Sequence, residues 1–278
     1  MAIPAISVVE GVTLGDDALF AAAQALQEAE QTRTQIGLLS EAHPGMTMDD
    51  AYAIQAAWVK AKVAAGDPVI GWKIGLTSKA MQAALSIDIP DSGVLLQSMA
   101  IANGATIPAE RFIQPRIEAE IAFVMKDDVP PDASPTEILT ATEYVAPALE
   151  ILDTRIFRKD PLSGRLRTVC DTIADNAANG GIVMGAPRRP SDAGDLRWIG
   201  AIVSRNGEVE ETGLGAGVLD DPLVSMAWLV RRLGAYGDRI TAGQVVLSGS
   251  FIRPVEAPSG SRILGDFGSF GKVECTFV

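Results

Sequence analysis

Apolar residues recur at helical spacing in two stretches near the start of the chain, then give way to short β-prone runs. Residues 16–33, rich in alanine, leucine, glutamate and glutamine, predict one helix. A second should start at Thr47, whose hydroxyl can cap while Asp50 holds the capping-box position. It runs through AYAIQAAWVKAKVAA and stops at Gly66. From residue 69 the texture changes: VIGWKIGL, GVLLQSMAIANGATI, IEAEIAFVM, IGAIVSRNGEVEETG and GQVVLSGSFIRPV are strand-like runs broken by glycine and proline. Asn206-Gly207 marks a hairpin. One later helix is expected where Asp221 can cap and Pro222 fits the first helical position ahead of LVSMAWLVRRLGAYG. The pattern predicts an α+β chain, a helical region over 1–68 followed by a β-rich domain over 69–278. The glycine clusters at 213–217 and 265–271 lack the context of a phosphate loop and read as turns or close backbone approaches.

Composition narrows the function. The chain is 47% hydrophobic over 278 residues, enough for a sizeable core, and its formal net charge of −12 argues against nucleic acid. Two cysteines, Cys170 and Cys275, have no metal-ligand spacing and fit a reducing compartment. The single histidine, His43, precedes Pro44 in a turn-like stretch and reads as a loop residue. No apolar run is long enough to span a membrane, and the opening residues lack the basic start of a signal peptide. A cytoplasmic protein is expected.

Within RIEAEIAFVM, Glu118 and Glu120 stand two apart in an apolar run, so on a strand they share a face. Ile117, Ala119, Ile121 and Phe123 do not read as one simple alternation. Glu150 sits in a similar run, APALEILDTR, three before Asp153. Three carboxylates on apolar elements suit a hard cation such as Mg²⁺ or Mn²⁺. By pattern alone a solvated face, or pairing with Arg116 and Arg155, is the simpler reading of them. Lys73 in GWKIGLTSKAM is flanked by apolar residues, and burial is expected to lower its pKa; it also fits an edge strand. Asp88 and Asp91 lie in a proline turn. The segment 170–185, CDTIADNAANGGIVMG, has small and amide residues that can approach a ligand closely. DTRIFRKDPLSGRLR, residues 153–167, concentrates Arg155, Arg158, Lys159, Arg165 and Arg167, an unusual basic density in so acidic a chain.

Taken in order, GWKIGLTSKAM, IPDSGVL, RIEAEIAFVM, APALEILDTRI, DTIADNAANGGIVMG, RNGEVEETGLGAGVL, AWLVRRL and GSFIRPV resemble the fumarylacetoacetate hydrolase superfamily. The likeness is greatest to its hydratase and decarboxylase branch from aromatic meta-cleavage pathways, and it covers about residues 16–278. It implies a mixed β-sheet roll, homo-oligomers, a small 2-oxo acid substrate and a divalent metal, Mg²⁺ or Mn²⁺. It assigns metal ligation to Glu118, Glu120 and Glu150, and puts Lys73 and Asp91 at the reaction centre. Leu76, Asp175, Asn176, Arg155 and Ser250 are carried over as substrate contacts. The implied reaction is hydration of a 2-oxo-alkenoate, most closely a C7 diacid. Decarboxylation of 4-oxalocrotonate, hydration of 2-hydroxypenta-2,4-dienoate, or a non-catalytic partner role are the alternatives. Trp72 stands where some relatives carry histidine, so no base is assigned there. Ala174 stands where relatives often have serine, which removes a hydroxyl. No histidine lies near the matched motifs, against the histidine-assisted C–C hydrolysis of other superfamily members.

Overall fold

The computed structural model describes residues 11–84, 87 and 89–278; Asp88 and the first ten residues lie outside them. Helix α1 (Asp16–Thr32) carries two acidic residues in its first turn, where the helix dipole favours them. After a single turn, α2 (Leu39–Ala42), comes α3 (Met48–Ala64). The expected capping box is formed: Thr47 Oγ1 accepts from the Asp50 amide at 3.1 Å, and Asp50 accepts back from the Thr47 amide at 2.8 Å. Ala22, Ala23, Leu26 and Ala29 recur on one face of α1, which packs on Ala51, Ile54 and Trp58 of α3. The same cluster takes in Val94, Leu96, Ile156 and Ile173, so these helices cover one side of the β region.

The chain then runs through β1 (Val69–Gly75), α4 (Lys79–Ala84), β2 (Asp91–Leu96), β3 (Ala100–Ile101), β4 (Thr106–Ile107), β5 (Arg116–Met125), α5 (Pro135–Ala141) and β6 (Thr142–Leu152). It continues with α6 (Val169–Ala174), β7 (Asn179–Met184), α7 (Pro190–Ala193), β8 (Gly200–Arg205) and β9 (Glu208–Leu214). The last elements are α8 (Pro222–Ala235), β10 (Val245–Leu247), β11 (Val255–Glu256), β12 (Arg262–Asp266) and β13 (Lys272–Phe277). One sheet has the order β2-β1-β10-β5-β6-β7-β3, with β11 added beside β5; the other has the order β4-β13-β12-β8-β9. Both are mixed: β1 runs parallel to β10, β3 to β7 and β4 to β13, and the remaining pairs are antiparallel. Helices first, then a mixed β roll, is the predicted order. The hairpin falls at Asn206-Gly207, both at positive φ, and Asp221 caps α8 by accepting from the Leu223 amide at 2.8 Å.

Two local readings need correction. Strand β5 does alternate: Ile117, Ala119, Ile121 and Phe123 all enter the main core, opposite the face of Glu118 and Glu120. The alternation is hidden in the sequence because Ala122 and Val124 are buried on the second face as well. Strand β6, eleven residues long, has no strand signal as clear as those around it because Pro147 interrupts it. The fold accommodates that proline where β7 has already ended, since β7 pairs only with residues 148–152. No described helix is long and apolar enough to cross a membrane.

Candidate metal centre and its cavity

The β5–β6 register sets Glu118 directly opposite Glu150, and Glu120 follows two residues on from the same face. Carboxylate oxygens of the three lie within 4.8 Å of one another. Lys73, on β1, reaches Glu150 Oε1 at 3.1 Å although β10 and β5 stand between the two strands in sheet order. The sheet therefore curls, and its concave face gathers side chains from strands that are not neighbours.

The carboxylates are only partly satisfied by the chain. Asn179 Nδ2 donates to Glu150 Oε1 at 2.9 Å, and the Gly249 amide donates to Glu120 Oε2 at 2.7 Å. Glu120 Oε1 and Glu150 Oε2 are buried with no hydrogen-bond partner among the described residues. Burial, then the Glu150 carboxylate, pushes Glu118 up to about 8, and the same two causes raise Glu120 well above an ordinary glutamate. A packed set of carboxylates with orphaned oxygens and an all-oxygen donor set fits a hard divalent cation.

Lys73 departs from expectation. Burial acts to lower its pKa, but Glu150, Asp91, Glu118 and Glu120 outweigh that and hold it above the ordinary lysine value. It stays an ammonium, donating also to the Ala177 carbonyl at 3.0 Å. That carbonyl is aimed by an uncommon backbone: Asn176, Ala177 and Ala178 all have φ between 51° and 59°, a left-handed turn that costs roughly 1–2 kcal/mol per non-glycine residue. Trp72 turns away, its indole N–H donating to Gln244 Oε1 at 3.1 Å.

Asp91 pairs with Gly75 across β1–β2. A Cβ on Gly75 would sit 2.2 Å from Asp91 Oδ1 and 3.2 Å from Lys73 Nζ, so only glycine leaves space for that carboxyl beside the ammonium. Both Asp91 oxygens are buried without a hydrogen-bond partner among the described residues. Burial raises its pKa, and the Lys73 charge offsets this only in part. Asp91 thus holds a proton to higher pH than an exposed aspartate.

Of these groups Lys73, Asp91 and Glu118 line a cavity of about 290 Å³, together with Leu76, Arg167 and Ser250 among others, whereas Glu120 and Glu150 are not on its wall. Leu76, at φ 55°, and Ser250, whose hydroxyl donates to the Ile252 carbonyl at 2.8 Å, stand on its wall. Asp175, Asn176 and Arg155 do not line it. Asn176 spends its amide on β2, donating to the Val94 carbonyl at 2.9 Å and accepting from the Val94 amide at 2.8 Å. Arg155 is buried in an ion pair with Asp175, and also donates to the Asn179 and Asp175 carbonyls. This network roots the segment 155–168. Asp153 likewise serves the backbone, accepting from the Ile113 and Gln114 amides. The sequence reading left out the Gly249 amide and Arg253, which lines the cavity and pairs with Glu211, and it gave Asn179 no carboxylate to support. Asn179 had a signal, as an amide amid small residues; the other two depend on loop geometry.

The fold and this cluster define a class: a curled mixed β roll that carries a cluster of three carboxylates with an ammonium and a buried carboxyl beside it. No protein-family model matches the chain. It is 48% identical over 257 residues to the 2-oxo-hept-4-ene-1,7-dioate hydratase of Escherichia coli, covering 92% of this chain and 96% of that protein. A 4-oxalocrotonate decarboxylase of Pseudomonas putida is 33% identical over 269 residues, 96% of this chain and 99% of that one. The solved 4-oxalocrotonate decarboxylase from Pseudomonas putida G7, complexed with magnesium and adipate, superposes with a TM-score of 0.89 at 31% identity, covering 96% and 99% of the two chains. The chain belongs to the hydratase and decarboxylase branch of the fumarylacetoacetate hydrolase superfamily.

Proposed function

We propose that the chain is a divalent-metal-dependent hydratase that adds water to a 2-oxo-alkenoate, with 2-oxohept-4-ene-1,7-dioate as substrate and 4-hydroxy-2-oxoheptanedioate as product. The observation that carries the reading is the set of Glu118, Glu120 and Glu150, with Lys73 3.1 Å from Glu150, on the concave face of the curled sheet. The 48% identity to a hydratase of that diacid supports it. Glu118, Glu120 and Glu150 would hold Mg²⁺ or Mn²⁺. When bound, the cation supplies an electrophile for the carboxylate and carbonyl oxygens of a 2-oxo acid.

The chain's own residues account for the proton movements. Lys73 keeps a fixed positive charge beside the reacting 2-oxo group and favours negative charge developing on it. Asp91, with its raised pKa, gives a proton to C5 of the dienol form as the C2 hydroxyl proton passes to solvent. Its carboxylate then takes a proton from the water that adds at C4, while solvent supplies the proton that C3 gains, so that the net change is the addition of one water. Decarboxylation of 4-oxalocrotonate would draw on the same carboxylates, and relatives of both activities match the chain.

The test is turnover by the purified chain, with Mg²⁺ and after chelation, on the C7 diacid, 4-oxalocrotonate and 2-hydroxypenta-2,4-dienoate. Loss of ultraviolet absorbance and CO₂ release are both followed. The expected result is Mg²⁺-dependent hydration of the C7 diacid without CO₂. Faster CO₂ release from 4-oxalocrotonate would move the chain to the decarboxylases. No turnover of any of the three would make it a non-catalytic subunit.

A further inference from the structure

The cavity is acidic at one end and basic at the other, and that polarity runs along one strand. Arg116, Glu118 and Glu120 occupy alternate positions on the same face of β5, and residues 116 and 120 are about 13 Å apart along a strand. Beside Arg116 lies a hairpin in which the Arg167 amide donates to the Arg158 carbonyl at 3.0 Å and Lys159 bridges to Leu166. Its tip is closed by Asp160 Oδ1, which accepts from the Leu162 and Ser163 amides at 2.8 and 2.9 Å. This register sets Arg158 opposite Arg167, a like-charge pair that a hairpin ordinarily disfavours.

Direct ion pairing is short at this end. Glu256 serves two of the three guanidiniums: Arg116 Nε at 2.5 Å and Arg158 Nη1 at 3.6 Å. Arg158 Nη2 also donates to the Gln114 carbonyl at 3.2 Å. The Arg167 guanidinium has no ion pair or hydrogen bond among the described residues, and its Nη1 and Arg158 Nε are buried without a partner. Both side chains line the cavity. The Asp175, Asp91 and Asp171 carboxylates attract Arg167 without touching it, and buried guanidinium N–H groups that make no hydrogen bond are left to donate to a ligand anion.

We propose that Arg158 and Arg167, backed by Arg116, form the receptor for a second carboxylate, so that the cavity selects 2-oxo diacids over 2-oxo acids with one carboxylate. This rests on the reading of the opposite end as the site of the 2-oxo acid group. The hairpin is then the specificity element: the carboxylate end sets where reaction occurs, and the arginines set how long and how charged the substrate must be. Of the basic cluster at 155–167, Arg155 is spent on Asp175, Arg165 pairs with Glu41 at the surface, and Lys159 is exposed and off the cavity wall, which leaves Arg158 and Arg167 for the ligand.

Arg167→Gln tests it, with Arg167→Lys as the charge-retaining control. Calorimetry in Mg²⁺ compares two unreactive ligands, 2-oxoheptanedioate and 2-oxopentanoate. The wild-type chain should bind the diacid at least about 10-fold more tightly, and Arg167→Gln should lose that preference while Arg167→Lys keeps part of it. In kinetics, the preference for the C7 diacid over 2-hydroxypenta-2,4-dienoate should fall about 100-fold in Arg167→Gln, carried by the diacid KM. Equal binding of both ligands by the wild type, or an undiminished preference in Arg167→Gln, overturns the receptor. A chain that shows the preference but no hydration fails the proposed reaction and keeps the receptor.

Discussion

Asp50 in the helical region and Glu120 in the sheet are both fully buried, and the fold treats them in opposite ways. Asp50 accepts from the Thr13, Leu14 and Thr47 amides and from the Thr13 and Thr47 hydroxyls. Asp171, at the start of α6, is surrounded likewise by the amides and hydroxyls of Ser40 and Thr168. Each ties a distant segment to a helix start. Burial alone would raise Asp50, but those backbone donors hold it well below the ordinary carboxylate range. Glu120 has a single amide, that of Gly249, together with two carboxylates for neighbours, and its pKa goes up. Burial therefore does not separate a structural carboxylate from a functional one; the supply of donors does. Where the chain provides them, the charge stabilises the fold, and where it withholds them, the charge is open to the cation proposed above.

Substitution at each site sharpens that contrast. Glu120→Gln should lower Mg²⁺-supported kcat/KM by about 10³-fold or more, since a neutral amide is a poor ligand for a hard cation. The same variant in chelator should melt no lower than the wild type, because a crowded buried charge has been removed. A metal-free protein clearly destabilised by Glu120→Gln would put Glu120 in the class of Asp50 and break the comparison. Asp50→Ala should do the reverse. Loss of the cap and of acceptors for three amides should cost about 3 kcal/mol in urea unfolding, with Mg²⁺ affinity of the folded protein unchanged. A change in that affinity would tie the helical region to the cavity.

What the sequence made legible follows from the range of each interaction. Thr47 and Asp50, Asp221 and Pro222, and Asn206 and Gly207 act within four residues, so their helix starts and turn were readable. Glu118 and Glu120 share a face by the two-residue period of a strand. Glu150 joins them only through the β5–β6 register, and Lys73 only because the sheet curls past β10 and β5. The direction of the Lys73 shift was misjudged for that reason: burial could be inferred from its neighbours, but the carboxylates that outweigh it come from other strands. The arginine density at 155–167 was visible, yet which arginines face the cavity depends on a hairpin register and on the buried partner of Arg155.

The subtlest separation of the two kinds of carboxylate is in their titration. Glu118, ordinarily at 4.5, is pushed up to about 8 in the folded chain by burial and then by Glu150. A carboxyl raised in this way binds its proton more tightly folded than unfolded. Its contribution to the metal-free protein is full below 4.5 and is lost as pH rises through about 8. A cation must displace that proton, so Mg²⁺ affinity should climb about tenfold per pH unit for each proton released as the pH rises toward about 8. Asp50 runs the other way: its depressed pKa contributes stability above the ordinary aspartate value, lost only as the pH falls into strong acid. Mg²⁺ calorimetry between pH 6 and 9, in two buffers of different ionisation enthalpy, reads both affinity and proton release. Glu118→Gln should flatten the slope, whereas an affinity already flat from pH 6 to 8 in the wild type would mean that the cluster binds its cation without giving up a proton.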